Sequence, residues 1–319
     1  MAAIAHETQS VPVSKRRGPS FVTRREAIWG YVFLSPWIIG FVLFTGLPMV
    51  VSLIYSFTQF NLIKPEEGMT FVGLRNWFQL FRDPQIYQSL LVSVRFALIS
   101  VPLGIALPLG LALLVNSKHL IAKNVFRALF YMPTMIPIVA TVLIWGGILN
   151  SDTGWLNRLL AIIGIEGPKW FQDKHWVLVT LSIMGFWGLG TTMVTMLAGL
   201  QNVPTDLYEA AKVDGAGPIY SFFNITVPMI SPIIFYNLTL AIIGAFQYFT
   251  QAYIISNGRG DPEGATYFFN LYLFKTAFSF LDMGYGATMA WLMFLIVLVL
   301  TIILFTTSGR WVYYASGED

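Results

Sequence analysis

Six stretches of this chain contain no Asp, Glu, Lys or Arg. They lie between Glu26 and Lys64, Arg95 and Lys118, Arg127 and Asp152, Lys174 and Asp206, Asp214 and Arg259, and Asp282 and Arg310. Each holds an apolar run of about 20 residues, which as a helix rising 1.5 Å per residue crosses a hydrocarbon core of about 30 Å. Charged residues make up only 11% of the 319 residues and hydrophobic ones 56%, whereas soluble domains carry about 25% charge. The runs are continuously apolar rather than alternating, which favours helices over the strands of a barrel. The expected fold is therefore all-α and polytopic. Six transmembrane helices are placed at about 31–57, 89–115, 129–150, 176–200, 229–256 and 286–307. They form one transmembrane domain over 28–310, between a basic tail at 1–27 and a short tail at 311–319.

Orientation follows from the basic residues. Lys15, Arg16, Arg17, Arg24 and Arg25 precede the first span, and Lys118, Lys123 and Arg127 follow the second. The positive-inside rule puts both groups in the cytoplasm. An even span count then brings both termini and the segment 201–228 to that side, and turns 58–88, 151–175 and 257–285 outward. The first apolar run is about twice the length of a signal-peptide core, and no Ala-x-Ala pattern follows it, so it reads as a retained span. Zero cysteine excludes disulfides and thiolate metal sites.

Trp29, Tyr31, Trp37, Trp145, Trp155, Trp170, Trp176, Trp311, Tyr313 and Tyr314 cluster near predicted span ends, as interfacial aromatics do. Residues 155–163 read as a short helix on the outer surface. Prolines recur in or beside the spans, and the run Met132-Pro133-Thr134-Met135-Ile136-Pro137 is the best candidate for a functional bend, because each interior proline removes a backbone donor.

Between the fourth and fifth spans the chain turns polar. A helix of about ten residues is expected from Pro204, capped by Asn202 or Thr205 and stopped at Gly215, where a left-handed residue carries no Cβ penalty. A second short helix should run from Pro218 through Phe222, Phe223 and Ile225 and end before Pro228. Neither is long enough to be stable alone, so both must pack on their own bundle or on a partner.

The residues of this insert are specific. Val203-Pro204-Thr205-Asp206-Leu207-Tyr208-Glu209-Ala210-Ala211-Lys212-Val213-Asp214-Gly215-Ala216, with Phe222, Ile225 and Pro228, resembles the EAA loop of the membrane permeases of binding-protein-dependent ABC importers. Residues 127–133 and 152–157 are similar to the carbohydrate branch, in its maltose-transporter-like half and among permeases of the maltose, lactose and glycerol-3-phosphate type. The resemblance implies a permease of the bacterial or archaeal inner membrane whose loop at 201–228 is a coupling helix docking on a separate cytoplasmic ATPase. Glu209 would make the polar contact, Ala210 and Ala211 would permit close approach, Asp214 belongs to the same signature, and Gly215 would make the corner. It further implies a second homologous six-span permease subunit, two ATPase subunits that use ATP and Mg, an extracytoplasmic solute-binding protein and a sugar substrate.

The chain itself has no Gly-x-x-x-x-Gly-Lys-Ser/Thr phosphate loop, and His6, His119 and His175 lack metal-ligand spacing. No catalytic residues, bound cofactor, metal or nucleic-acid partner are expected. For a substrate pathway, Met184, Gly188, Thr191 and Thr195 share one face of the fourth span beside Trp187, and Asn237, Ala241, Gly244, Tyr248 and Gln251 share one face of the fifth. Such stripes suit a neutral polyol, and packing through small residues explains them as well. Arg95 is the one charge well inside an apolar run. It can snorkel to headgroups or face the pathway, where it would favour an anionic solute such as glycerol 3-phosphate. From another class, an ion-coupled secondary transporter would carry charged relay residues inside its spans, and only Arg95 qualifies.

Overall fold

A computed structural model describes residues 21–62 and 68–313. The chain divides into two compact units, residues 1–54 and 55–319. The first, from residue 21, is helical throughout: α1 (Phe21–Phe41), a π-turn at Val42–Gly46, and α2 (Leu47–Ser56). The helix starts ten residues before the expected span at 31–57, since basic and polar residues favour helix nearly as well as apolar ones and hydropathy marks only the apolar part. From Arg25 to Val50 nearly all of its side chains are exposed, Phe33 and Phe44 conspicuously so, and a helix apolar all round belongs in a membrane. The π-turn has a local cause. It closes with Leu47 N–H donating to the Val42 carbonyl, and this wider turn sits just ahead of Pro48, whose ring would crowd the carbonyl four residues back.

The second unit begins with a two-stranded antiparallel ribbon, β1 (Thr58–Gln59) and β2 (Thr70–Phe71), followed by α3 (Arg75–Leu80). Buried Asn76 donates to the carbonyls of Ser56 (3.1 Å) and Thr58 (2.9 Å) and ties this corner together. α4 (Pro84–Asn116) is the central mast. Asp83 caps it, accepting from Gln85 N–H at 2.9 Å, with Pro84 in the first turn. Ile86, Ser89, Ser93 and Phe96, then Pro108, Ala112 and Val115, form its buried stripe at helical spacing.

The third and fourth expected spans are not single helices. α5 (Lys123–Tyr131), a 3-10 turn at Met132–Met135 and α6 (Ile138–Ile148) form a pair bent by 102°. Pro133 and Pro137 account for the break, which falls on the run singled out for a bend. After α7 (Trp155–Ile162) come α8 (Val177–Phe186) and α9 (Gly190–Gln201), bent by 56° at Trp187–Leu189. The polar insert supplies α10 (Thr205–Val213) and α11 (Pro218–Ser221); a π-turn at Phe222–Thr226 and α12 (Val227–Met229) lead into α13 (Ser231–Phe246) and α14 (Thr250–Ser256). α15 (Phe269–Phe274), a further π-turn at Lys275–Ser279 and α16 (Met283–Ser308) complete the chain. Among the described residues, four helices are long and apolar enough to cross a membrane, or six if each bent pair is one span.

α4 packs against α8, α9, α13 and α15. One core cluster gathers Val92, Phe96, Leu181, Met184, Ala252 and Phe268. A second gathers Ala112, Val115, Met193, Met196, Leu200 and Ile230 near the insert. Asp83 also joins helices distant in sequence, accepting from Tyr272 Oη (2.5 Å) and Tyr285 Oη (2.8 Å). Burial and this carboxylate push the Tyr272 hydroxyl pKa above its ordinary value. Trp170, placed by sequence among interfacial aromatics, is instead buried in a loop core, its Nε1 donating to Asn157 Oδ1 at 2.7 Å.

Candidate functional site

Two sites emerge. The first is the insert. α10 starts at Thr205, with Pro204 as the N-cap and no side-chain capping bond. Neither expected cap serves: Asn202 closes the end of α9, and Thr205 already belongs to the helix, whereas a capping residue must sit in extended geometry outside it. Asp206 in the first turn and Lys212 in the last complement the helix dipole. The stop lies where Gly215 was expected to make it, at φ +80°. Ala216 N–H reaches the Ala211 carbonyl (2.8 Å) and Gly215 N–H the Lys212 carbonyl (3.2 Å), the paired bonds of a Schellman turn. The helical path expected to end before Pro228 does not: α11 stops at Ser221, and the π-turn at Phe222–Thr226 carries the path on past that proline into α12.

The insert has an inner and an outer face. Val203 is buried against the second core cluster, and Tyr208, Ile225 and Met229 pack on it. Tyr208 Oη and Thr226 Oγ1 are hydrogen-bonded at 2.9 Å and tie α10 to the segment after it. Glu209, Ala210, Asp214 and Gly215 are exposed and Ala211 is half-buried. Beside them stand apolar side chains that water disfavours: Val213 is 88% exposed, with Ile219, Tyr220 and Phe223 also exposed. Sequence reading named none of these four as site residues. Their signal was a β-branched and aromatic run in an otherwise polar insert.

The second site is a cleft of about 320 Å³ where broken helices meet. The α5–α6 break contributes Pro133, Thr134 and Ile136, and α6 adds Thr141; the α8–α9 break contributes Met184, Trp187, Gly188 and Thr191; α14 adds Gln251. Gln251 stands just past the interruption between α13 and α14. Trp187 meets Trp145 edge to face at 5.6 Å, and α9 approaches α5 so closely that a Cβ at Gly190 would collide with the Phe130 carbonyl. Irregular backbone at membrane depth is tolerated where it is buried in protein or lines a cavity. Chemically the cleft offers hydroxyls, one carboxamide and an indole ring, with no formal charge among its lining residues.

Of the ten pathway residues picked by sequence, the cleft brings together Met184, Trp187, Gly188, Thr191 and Gln251. The others lie elsewhere. Asn237 is buried, donating to the Ile233 carbonyl (2.8 Å) and accepting from Thr195 Oγ1 (3.3 Å), which joins α13 to α9. Tyr248 stacks on Phe96 (4.3 Å) and Phe268 (5.0 Å), and its hydroxyl is buried without a partner. Ala241 packs on the first core cluster, and Gly244 is exposed. Thr134 and Thr141 were missed as lining residues, although the proline-bounded break beside them was visible. Among the described residues no group of His, Cys, Asp or Glu is placed to hold a metal ion.

A family model described as "Binding-protein-dependent transport system inner membrane component" matches residues 100–315, which takes in both sites. The probable ABC transporter permease protein YesP of Bacillus subtilis (strain 168) is 42% identical over 93% of this chain and 95% of its own length. The arabinooligosaccharides transport system permease protein AraP of the same organism is 31% identical over 88% of each. Among solved structures, a chain of a bacterial ABC transporter that imports the acidic polysaccharide alginate superposes with a TM-score of 0.75 at 20% identity, covering 90% of this chain and 96% of that one.

Proposed function

The chain belongs to the family of binding-protein-dependent transport system inner membrane components, and on that premise we propose that it is the six-span permease subunit of an ATP-driven carbohydrate importer. Each bent pair counts as one span. Both termini face the cytoplasm, as does the insert at 201–228. The subunit pairs with a second, homologous permease. Two ATPase subunits beneath them use ATP and Mg, and an extracytoplasmic solute-binding protein delivers the sugar. The same machinery carrying glycerol 3-phosphate or another polar solute is the alternative within the family.

One observation carries this reading: the inner face of α10 is tied to the bundle while the outer face leaves Glu209, Ala210 and Val213 in solvent. An exposed Val at the end of a short, rigidly stopped helix, with exposed Phe223 in the π-turn that follows, suits burial in a partner's groove. Force applied at α10 would pass through Tyr208 and Thr226 to α13 and through Val203 to α9. The cleft at the helix breaks fits the cargo side of the reading. Its volume accommodates a sugar ring, its hydroxyl and amide groups pair with sugar hydroxyls, and Trp187 offers a face to C–H groups. AraP, whose named cargo is arabinooligosaccharides, supports a carbohydrate over other solutes.

The test is Glu209→Lys in cells expressing the complete system. ATP-driven sugar uptake and ATPase co-purification should fall together, by about tenfold or more, with normal membrane insertion. Wild-type uptake from that variant contradicts the reading.

A further inference from the structure

A third cleft, of about 490 Å³, opens on the N-terminal half of α4 and is lined by Gln85, Gln88, Arg95, Lys174, Glu263 and Tyr267 among others. Arg95 lies roughly 27 Å along the mast from Leu113, where the insert packs, at 1.5 Å per residue. Arg95 is exposed and lines a polar cleft among side chains from α4, the loop before α8 and the loop after α14. Glu263, the acidic lining residue, is committed to Lys174 Nζ at 2.7 Å, a pairing that raises the lysine pKa; Asp173 and Asp83 stand close enough to act on Lys174 and Tyr267, so the group the lining leaves unpaired is the Arg95 guanidinium. Arg95 has no ion pair or hydrogen bond among the described residues.

We propose that this cleft binds the anionic group of an acidic sugar, a carboxylate held by the Arg95 guanidinium, before the sugar reaches the cleft at the helix breaks. The guanidinium fork matches a carboxylate with two parallel hydrogen bonds. Gln85 and Gln88, on the same helix, supply donors and acceptors for ring hydroxyls, and Tyr267 supplies an aromatic face. The two clefts flank one core cluster. Val92, Leu178 and Tyr267 of that cluster face the Arg95 cleft, Met184 faces the other, and the ring stack of Phe96, Tyr248 and Phe268 belongs to the same cluster. The proposal rests on the carbohydrate reading above and narrows its substrate class to sugars carrying a negative charge.

The test uses the full chain with its co-expressed partner subunits in lipid nanodiscs, without binding protein. A uronic-acid disaccharide and the neutral disaccharide made by reducing its carboxyls are titrated by calorimetry. Wild type should bind the acidic sugar about tenfold more tightly, a preference that shrinks with added salt. Arg95→Gln should erase the preference while leaving the neutral affinity unchanged, and Arg95→Lys should keep part of it. Equal binding of both sugars by wild type, or a preference that survives Arg95→Gln, overturns the proposal. So does an Arg95→Gln variant that binds both sugars normally and is impaired only in capturing the binding protein. Glu209→Lys, assayed in parallel, should lose ATP-driven uptake yet keep the acidic preference, so the cleft can fail while the permease reading stands.

Discussion

The insert at 201–228 and the cleft at the helix breaks differ in where their residues come from. The insert is contiguous: one stretch of chain supplies its helix, its Schellman turn and its exposed face, and Val203, Tyr208 and the segment after Phe222 pack it on the bundle. The cleft is assembled at three helix interruptions spread over more than a hundred residues of chain, and no single segment contains its chemistry. A contiguous element can dock and transmit as a unit. A cleft made of broken helices changes shape whenever those helices move relative to one another, which suits a site that must accept and then release a cargo.

If the two regions divide the work in this way, substitutions in the insert should abolish transport without touching sugar recognition, and those in the cleft should do the reverse. The largest effect is expected from Gly215→Pro. Proline cannot adopt the φ of +80° found there, and it removes the N–H that reaches the Lys212 carbonyl. ATP-driven uptake should fall to background in a transport assay while the protein remains in the membrane fraction. Trp187→Ala should follow. Losing an aromatic face worth about 1 kcal/mol should raise the transport KM by roughly fivefold with ATPase co-purification unchanged; a loss of ATPase instead would break the comparison. Smallest is Asn237→Leu, which removes the link from α13 to Thr195. Interhelical hydrogen bonds of this kind contribute about 0.6 kcal/mol in membranes, so the melting temperature should drop by about one degree with KM unchanged. A marked KM change would return Asn237 to the pathway.

That difference in assembly also governs what could be seen before the structure. The all-helical class and the approximate limits of α4, α13–α14 and α16 followed from charge-free intervals, because hydrocarbon demands them. The stop at Gly215 was legible because a left-handed residue has a chemical signature. The caps were not: Thr205 has the right side chain but lies one position inside the helix. The 56° break at Trp187–Leu189 was hidden too, since a helix interrupted within an apolar run has the same hydropathy as a continuous one. Prolines announced the other break, between α5 and α6. Stripe residues on the fifth span looked equivalent by spacing, and only packing separated Gln251, in the cleft, from Asn237 between helices and Tyr248 in the aromatic core.

The central claim is that the outer face of α10 is covered by an ATPase subunit in the assembled transporter. The chain contains no cysteine, so a single Val213→Cys substitution gives one addressable thiol at a position 88% exposed in the isolated chain. The decisive measurement is thiol cross-linking of this variant in the purified complex, with maleimide labelling as its complement. A cross-link to the ATPase subunit, and a thiol protected from maleimide until the ATPase is removed, is the predicted result. A thiol that labels as fast in the intact complex as in the isolated chain, with no cross-link, would contradict the account.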